Sequence, residues 1–445
     1  MIYDKITCLA IIMYLLPFSI VKSQDSSDFR VAIQESLNRL EVTETLFNPI
    51  LTDYEMIAID QNPQIKSAYY RWKTEMERGK VVKSLPNPRV SFGYFLENVE
   101  TAVGPQEYKI GLHQKLPWLP KLKLKKDVQS LKAQAEYQNL LLSINDILFK
   151  VRTTFYDYYL LQTSIQITAK NISLLQSWEA LFQNRYKSGL IKYSDLIKIQ
   201  IETAKLEDKL RQLKERRIPI IQTFRALLNS DSLEQIDIPD TLFYNVYHYD
   251  YDSLLESVLS NNHFYKKLSL IQDASTLALR KSKLNYYPDF GLGIDYIATR
   301  KKNLTGSNQV NGNGKDPIIL MVSVDIPIWW KKLRAQTRIT EYYNENVSKQ
   351  VKNLENKLEA ELQKVVYKLK DAQQRINLYK TSLIPKSDES LNVTEKAYIA
   401  GENDFVSLID TQRQNLFFKL EYEKAQVEYQ KALAQIAQLT GGYYD

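Results

Sequence analysis

From Lys121 to Ser188 the chain runs 68 residues without a glycine or a proline. Through this stretch apolar side chains recur at three- and four-residue steps, among them Leu140, Ile144, Ile147, Val151, Phe155, Tyr158, Ile165, Ala169 and Ile172. That spacing puts them on one face of an α-helix. At 1.5 Å per residue the helix would be on the order of 100 Å long. A rod of that length does not fit inside one globular core and has to pack lengthwise against other helices. The same periodicity returns in Val351, Leu354, Leu358, Leu362, Val365, Leu369, Ala372, Ile376, Tyr379 and Leu383.

The recurrence belongs to an internal duplication. Arg185-Tyr186-Lys187-Ser188-Gly189, followed by Tyr193-Ser194-Asp195-Leu196-Ile197, is echoed 212 residues later by Ala397-Tyr398-Ile399-Ala400-Gly401 and Phe405-Val406-Ser407-Leu408-Ile409. The register holds to Leu227-Leu228-Asn229 and Leu439-Thr440-Gly441. Upstream, Leu116-Pro117-Trp118 pairs with Ile326-Pro327-Ile328-Trp329, and Pro86-Asn87-Pro88 with Tyr287-Pro288-Asp289. Gly189 and Gly401 are the expected turns of two helical hairpins, since a glycine adopts the left-handed conformation that ends a helix. Pro385 interrupts the second long helix and predicts a bend there.

A second period, of two residues, marks four segments. Val90, Phe92, Tyr94 and Leu96 alternate with small or mixed residues, as do Tyr108, Ile110 and Leu112. In the second copy Phe290, Leu292, Ile294 and Tyr296 alternate with Gly291, Gly293 and Asp295, and a strand reads from Ile318 to Ile326. Roughly ten residues with one greasy face is the pattern of a strand in a membrane barrel. Four strands cannot close a barrel, whose smallest form has about eight, so the barrel has to be shared between copies.

The remaining features set compartment and exclude chemistries. Lys5 followed by the apolar run Ile6 to Ile20 reads as a signal peptide over 1–23, cleaved after Ser23, with Cys8 inside the removed piece. One Cys and three His exclude a disulfide-stapled fold and Cys/His metal clusters. His113 and His263 read as ordinary packed histidines. The net charge of +7 comes from 59 basic and 52 acidic residues spread along the chain, with no basic groove for nucleic acid. A short run of Lys121, Lys123, Lys125 and Lys126 reads as a positive collar beside lipid head groups. Thirty Tyr against 15 Phe point to surfaces that are partly wet.

The expected organisation is a signal peptide (1–23), an N-terminal periplasmic segment (24–61), a first repeat (62–230), a linker (231–260) and a second repeat (261–442). The first repeat places strands at 89–99 and 108–117, a long helix at 118–188 and a return helix at 191–229. The second places strands at 289–298 and 317–328, a long helix at 329–400 and a return helix at 403–440, with an exposed loop from Thr299 to Asp316.

Signal peptide, duplicated unit, proline-bracketed strands and paired Tyr-x-x-Gly turns together resemble the TolC family of outer-membrane channels over nearly the whole mature chain. The strand segments Leu85 to Asn98 and Gly104 to Trp118 are most similar to the branch that serves heavy-metal or cation exporters. The resemblance implies a mixed membrane α/β fold, in which a trimer builds a 12-stranded β-barrel continued by a periplasmic α-helical coiled-coil barrel. It implies a Gram-negative outer-membrane location, with a long periplasmic portion. The implied function is passive conduction of cargo, metal cations or drugs, from an inner-membrane resistance-nodulation-division pump or other transporter and its periplasmic adaptor. Partners are then a homotrimer, the adaptor, the pump and outer-membrane lipid, with no nucleic acid, no cofactor, no metal site and no catalytic residue.

By position, the resemblance places the closed aperture at Asp410, Ser407, Asp195, Tyr398 and Asn403. Asp410 would form an acidic ring attractive to cations, as in cation-selective pores, against the plain reading of a solvated acid near a helix start. Asp195 and Tyr398 match latch positions, while Asn403 stands where some relatives carry a base. Gly189, Leu190, Ile191, Gly401, Glu402 and Asn403 match the tips that meet the adaptor. The rival readings are a type I secretion duct, an exported coiled-coil scaffold, the adaptor itself and a secreted hydrolase. The scaffold and the adaptor leave the four strands unexplained, and the hydrolase lacks a nucleophile elbow, zinc motif or phosphate loop.

Overall fold

The computed structural model describes residues 29, 31, 49–231, 233–242, 244–302 and 311–442. The expected signal peptide and the centre of the loop between Thr299 and Asp316 lie outside the described residues. Thr43–Asp445 forms one compact unit, separate from Met1–Val42.

The order of elements is α1 (Pro49–Gln61), α2 (Pro63–Lys83), β1 (Arg89–Val99), β2 (Gln106–Leu116), α3 (Leu119–Lys187), α4 (Tyr193–Leu228), α5 (Tyr251–Asn261), α6 (His263–Leu284), β3 (Asp289–Thr299), β4 (Ile318–Asp325), α7 (Trp330–Leu378), a π-helical turn (Tyr379–Leu383), α8 (Ile384–Ala400) and α9 (Phe405–Leu439). Each half is thus helix, β-hairpin, long helix, return helix. The helix leading into each hairpin, α2 or α6, is an element that apolar periodicity did not reveal, and α5 occupies the end of the expected linker.

The second long helix differs from expectation in one respect. It is not continuous over 329–400, because five residues adopt π geometry just before Pro385, and the Ile384 N–H bonds back to the Tyr379 carbonyl. Proline supplies no N–H for the regular ladder, and the wider turn absorbs that loss without leaving helical dihedrals. Pro219 lies inside α4, and the helix runs through it. β4 ends at Asp325, short of the expected 328, since Pro327 has no N–H to continue a ladder.

The two halves are tied by the same pair of residues. Asn62 caps α2, accepting from the Gln64 N–H at 2.8 Å, and its amide donates to the Leu227 carbonyl at the end of α4, also at 2.8 Å. Asn262 caps α6, accepting from the Tyr265 N–H at 3.0 Å, and donates to the Leu439 carbonyl at the end of α9 at 3.0 Å. Both return helices then stop in the left-handed region, at Asn229 (φ 52°) and Gly441 (φ 70°). A side chain at Gly441 would meet the Asn261 carbonyl at 2.6 Å, so close approach as well as φ demands glycine. A buried ion pair between Arg152 and Glu55 fastens α1 to the middle of α3.

The strands form one antiparallel sheet in the order β1-β2-β3-β4. Phe92 pairs with Ile110, Ile110 with Tyr296, and Tyr296 with Ile318. One row up, Val90, Leu112, Ile294 and Leu320 align. This face is apolar across all four strands and exposed, with Phe92 68%, Leu96 94%, Leu320 78% and Val322 68% accessible. The opposite face carries Gly111, Gly291, Gly293 and Asp295, which are buried. There Asp295 meets Lys109 Nζ at 2.5 Å and His113 Nε2 at 3.2 Å. A Cβ on Gly111 would collide with Asp295, and one on Gly293 with the His113 ring. His113 therefore has an acidic neighbour that sequence spacing did not reveal.

Asn62→Ala and Asn262→Ala should each cost about 1–3 kcal/mol, because a cap and a buried carbonyl partner vanish together. Asn62→Asp should fall between wild type and alanine in denaturant midpoint. Equal stability of all variants would contradict the duplicated tie.

Candidate functional site: the hairpin tips

Local chemistry sets both tips alike. Gly189 (φ 72°) donates to the Tyr186 carbonyl at 2.9 Å and Leu190 to Arg185 at 2.9 Å, while Gly401 (φ 82°) donates to Tyr398 at 3.1 Å and Glu402 to Ala397 at 2.9 Å. These paired bonds are the Schellman stop that satisfies the last carbonyls of a helix. Nothing stands within 4 Å of a Cβ at either glycine, so positive φ alone selects the residue. Leu190 is 68% exposed at the end of the first hairpin. Ile191 turns back onto the core. Glu402 is exposed, and Asn403 is occupied locally, its Oδ1 accepting from the Asp404 N–H at 2.9 Å. Asp404 caps α9 by accepting from the Ser407 N–H at 2.7 Å, so Ser407 sits in the first turn.

Behind the turns the two hairpins share one core of Leu175, Trp178, Phe182, Leu196, Ile199, Tyr398, Phe405, Leu408 and Ile409. Polar bonds cross between them: Trp178 Nε1 donates to Glu395 at 2.7 Å, Gln412 donates to Asn171 at 2.9 Å, and the Arg185 guanidinium donates to the Ile399 carbonyl. The tip is therefore a single four-helix unit.

Within it Tyr398 and Asp195 come together. The Tyr398 ring lies 4.9 Å from Phe182 and its hydroxyl is buried without a hydrogen-bond partner among the described residues. Burial, with the Asp195 charge second, pushes that phenol up to about 12. Asp195 itself faces Lys198 at 4.0 Å. Asn403 joins neither.

Asp410 lies apart from this pair, one turn further along α9 and exposed, with Arg413 at 3.5 Å. Arg413 is committed elsewhere. Its fork grips the buried Glu202 of α4, Nε to Oε1 at 3.0 Å and Nη2 to Oε2 at 2.5 Å. The guanidinium holds the Glu202 carboxyl below the usual range despite burial. Lys205 Nζ stands 3.6 Å from the same Glu202 carboxylate, so two carboxylates and two cations leave the group without net charge. Glu202 and Arg413 escaped the sequence reading because a pairing across 211 residues has no local signature.

The comparisons with known proteins bear on the fold. No family model and no curated relative matches the sequence. Solved structures match almost end to end. The outer-membrane channel OprN superposes with a TM-score of 0.76 at 14% identity, covering 89% of this chain and 91% of its own. The outer-membrane protein VceC of Vibrio cholerae gives 0.73 at 14%, covering 89% and 97%. The open state of the Neisseria gonorrhoeae MtrE outer-membrane channel gives 0.66 at 14%, covering 88% and 89%. The fold is that of these channels, the TolC-like architecture that the sequence resembles.

Arg413→Gln should lower stability by about 1–2 kcal/mol at neutral pH, because Glu202 then keeps only Lys205, at 3.6 Å, among the described residues. A carboxylate with a depressed folded pKa stabilises above its unfolded value and loses that contribution as pH falls through the folded one. The gap to wild type should therefore close as pH drops below the ordinary glutamate value of 4.5. A gap independent of pH would contradict the pairing.

Proposed function

We propose that three copies of this chain form an outer-membrane exit duct of the TolC family, conducting cargo delivered by an inner-membrane pump through a periplasmic adaptor. The observation that carries this reading is the sheet: four strands share a continuous exposed apolar face, and both edge strands, β1 and β4, lack a partner on their outer side among the described residues. In hydrocarbon every backbone group needs a partner. Closure by three sheets into twelve strands meets that requirement and leaves the glycine-rich charged face toward the lumen. Strands of 11 residues extend about 36 Å, enough for an apolar band of about 25 Å when tilted. Among the described residues no helix is long and apolar enough to cross a membrane.

At the far end, the aperture is assigned to Asp410 and Ser407 on α9, with Asp195, Tyr398 and Asn403 beside it. Glu202 is balanced by Arg413 and Lys205, and three copies of the exposed Asp410 carboxylate around an axis would attract cations. The Tyr398 hydroxyl, without a partner among the described residues, is a donor for a neighbouring copy. Gly189, Leu190, Ile191, Gly401, Glu402 and Asn403 present the ends of the hairpins to the adaptor. The chemistry required is conduction, with no residue in a catalytic role. Among the described residues no group of three His, Cys, Asp or Glu is placed to hold a metal. The heavy-metal assignment rests on strand resemblance, and cargo selection falls to the pump.

Leu320→Arg, on the lipid face, should cost about 2–4 kcal/mol in the membrane and abolish the heat-modifiable trimer in the outer-membrane fraction. Ile319→Arg, on the opposite face, should leave the trimer intact. Equal behaviour of the two would contradict the assignment of faces. In single-channel recordings Asp410→Asn should weaken block by multivalent cations, and unchanged block would count against the acidic ring.

A further inference from the structure

Because the sheet runs up and down, the start of β1, the end of β2, the start of β3 and the end of β4 all meet one edge, where the chain passes four times between strand and helix. The four crossings, residues 77–89, 115–132, 280–289 and 325–338, hold 17 basic side chains and four acidic ones. Their net charge of +13 exceeds the +7 of the whole chain, so the remainder is −6. The basic collar read at Lys121 to Lys126 is one part of this basic edge. The edge acids Asp289 and Asp325 are taken by Lys121 and Lys115.

The placement opposes local electrostatics. Cations are favoured at helix C-termini, which accounts for Lys80, Lys83, Lys281 and Lys283, and disfavoured at N-termini. Yet α3 and α7 open with Lys121, Lys123, Lys331 and Lys332 and carry no acid in the first turn. At the same level Trp118, Trp329, Trp330 and Tyr287 are exposed, as rings are where hydrocarbon gives way to water. Between the helices, the half-buried Lys281 has Lys125 and Lys132 as its electrostatic neighbours, and burial together with their charges depresses its pKa. None of these three lysines makes an ion pair among the described residues. Lys125 and Lys132 are exposed and Lys281 is half-buried, so the ammonium groups of this edge are open to an anion from outside the chain.

We propose that this edge is a binding surface for anionic phospholipid head groups, with Lys125, Lys132 and Lys281 seating the phosphate. The proposal rests on the reading of the sheet as a membrane barrel. The exposed rings mark a lipid boundary, which makes a head group rather than a soluble phosphate the occupant.

The test compares the full chain with Lys125→Gln/Lys132→Gln/Lys281→Gln and with a control that removes three exposed helix lysines elsewhere, Lys209→Gln/Lys214→Gln/Lys364→Gln. Each is reconstituted in vesicles of phosphatidylethanolamine alone or mixed with phosphatidylglycerol, and lipid retained on the extracted protein is counted by native mass spectrometry. Phosphatidylglycerol should be enriched on wild type and control and raise their melting temperature, and the collar variant should lose about fivefold or more of that enrichment per lysine. Equal retention by collar variant and wild type would overturn the proposal. Equal protection of wild type by inorganic phosphate would overturn the lipid as occupant. Failure to insert into either vesicle would sink the barrel reading itself, which insertion without lipid preference leaves standing.

Discussion

A peptide group in hydrocarbon has no water to bond with, and this chain carries a sheet whose outer face is apolar and whose edges are open. Everything else in the architecture answers that constraint. The strands alternate so that Phe92, Ile110, Tyr296 and Ile318 align in one row while glycine, His113 and Asp295 occupy the other face. Glycine at 111 and 293 lets the large polar groups lie flat against the sheet. On the proposed barrel reading a single chain is incomplete, and its apolar face and its edges, open among the described residues, call for the same remedy.

Duplication makes that remedy economical. Two copies of one unit give two hairpins that meet through β2 and β3, and two helical hairpins that share one tip core. Asn62 and Asn262 perform the same double task in each half, starting one helix while closing the end of another. The tips repeat the same Schellman stop. The halves diverge at the tips, where Asp195 of the first copy corresponds to Ser407 of the second and Lys198 corresponds to Asp410. Charge at the tip is therefore not twofold, although the backbone nearly is.

How much of this was legible follows from the range of each interaction. Strands and long helices are periodic, so Val90 to Leu96 or Leu354 to Ile376 announce themselves. The turns at Gly189 and Gly401 are local and repeated, hence readable. The helices α2 and α6 were missed because their apolar positions are sparse, and their stability comes from packing against α3 and from the asparagine caps. The π turn before Pro385 was missed because a proline signals interruption without specifying its form. At the tip, Asp195 and Tyr398 lie close together, whereas the grip of Arg413 on Glu202 depends on how two hairpins pack and is invisible in either sequence alone.

The central claim is that β1 of one copy pairs with β4 of the next. Within one chain those strands are separated by two others, about 14 Å at the usual strand spacing, beyond the reach of a disulfide. Cysteines introduced together at Phe92 and Val322, in a chain carrying Cys8→Ser, should on oxidation in the membrane produce covalent dimers and trimers that stop at three. Uncrosslinked monomer, or a ladder that continues past three, would contradict the account.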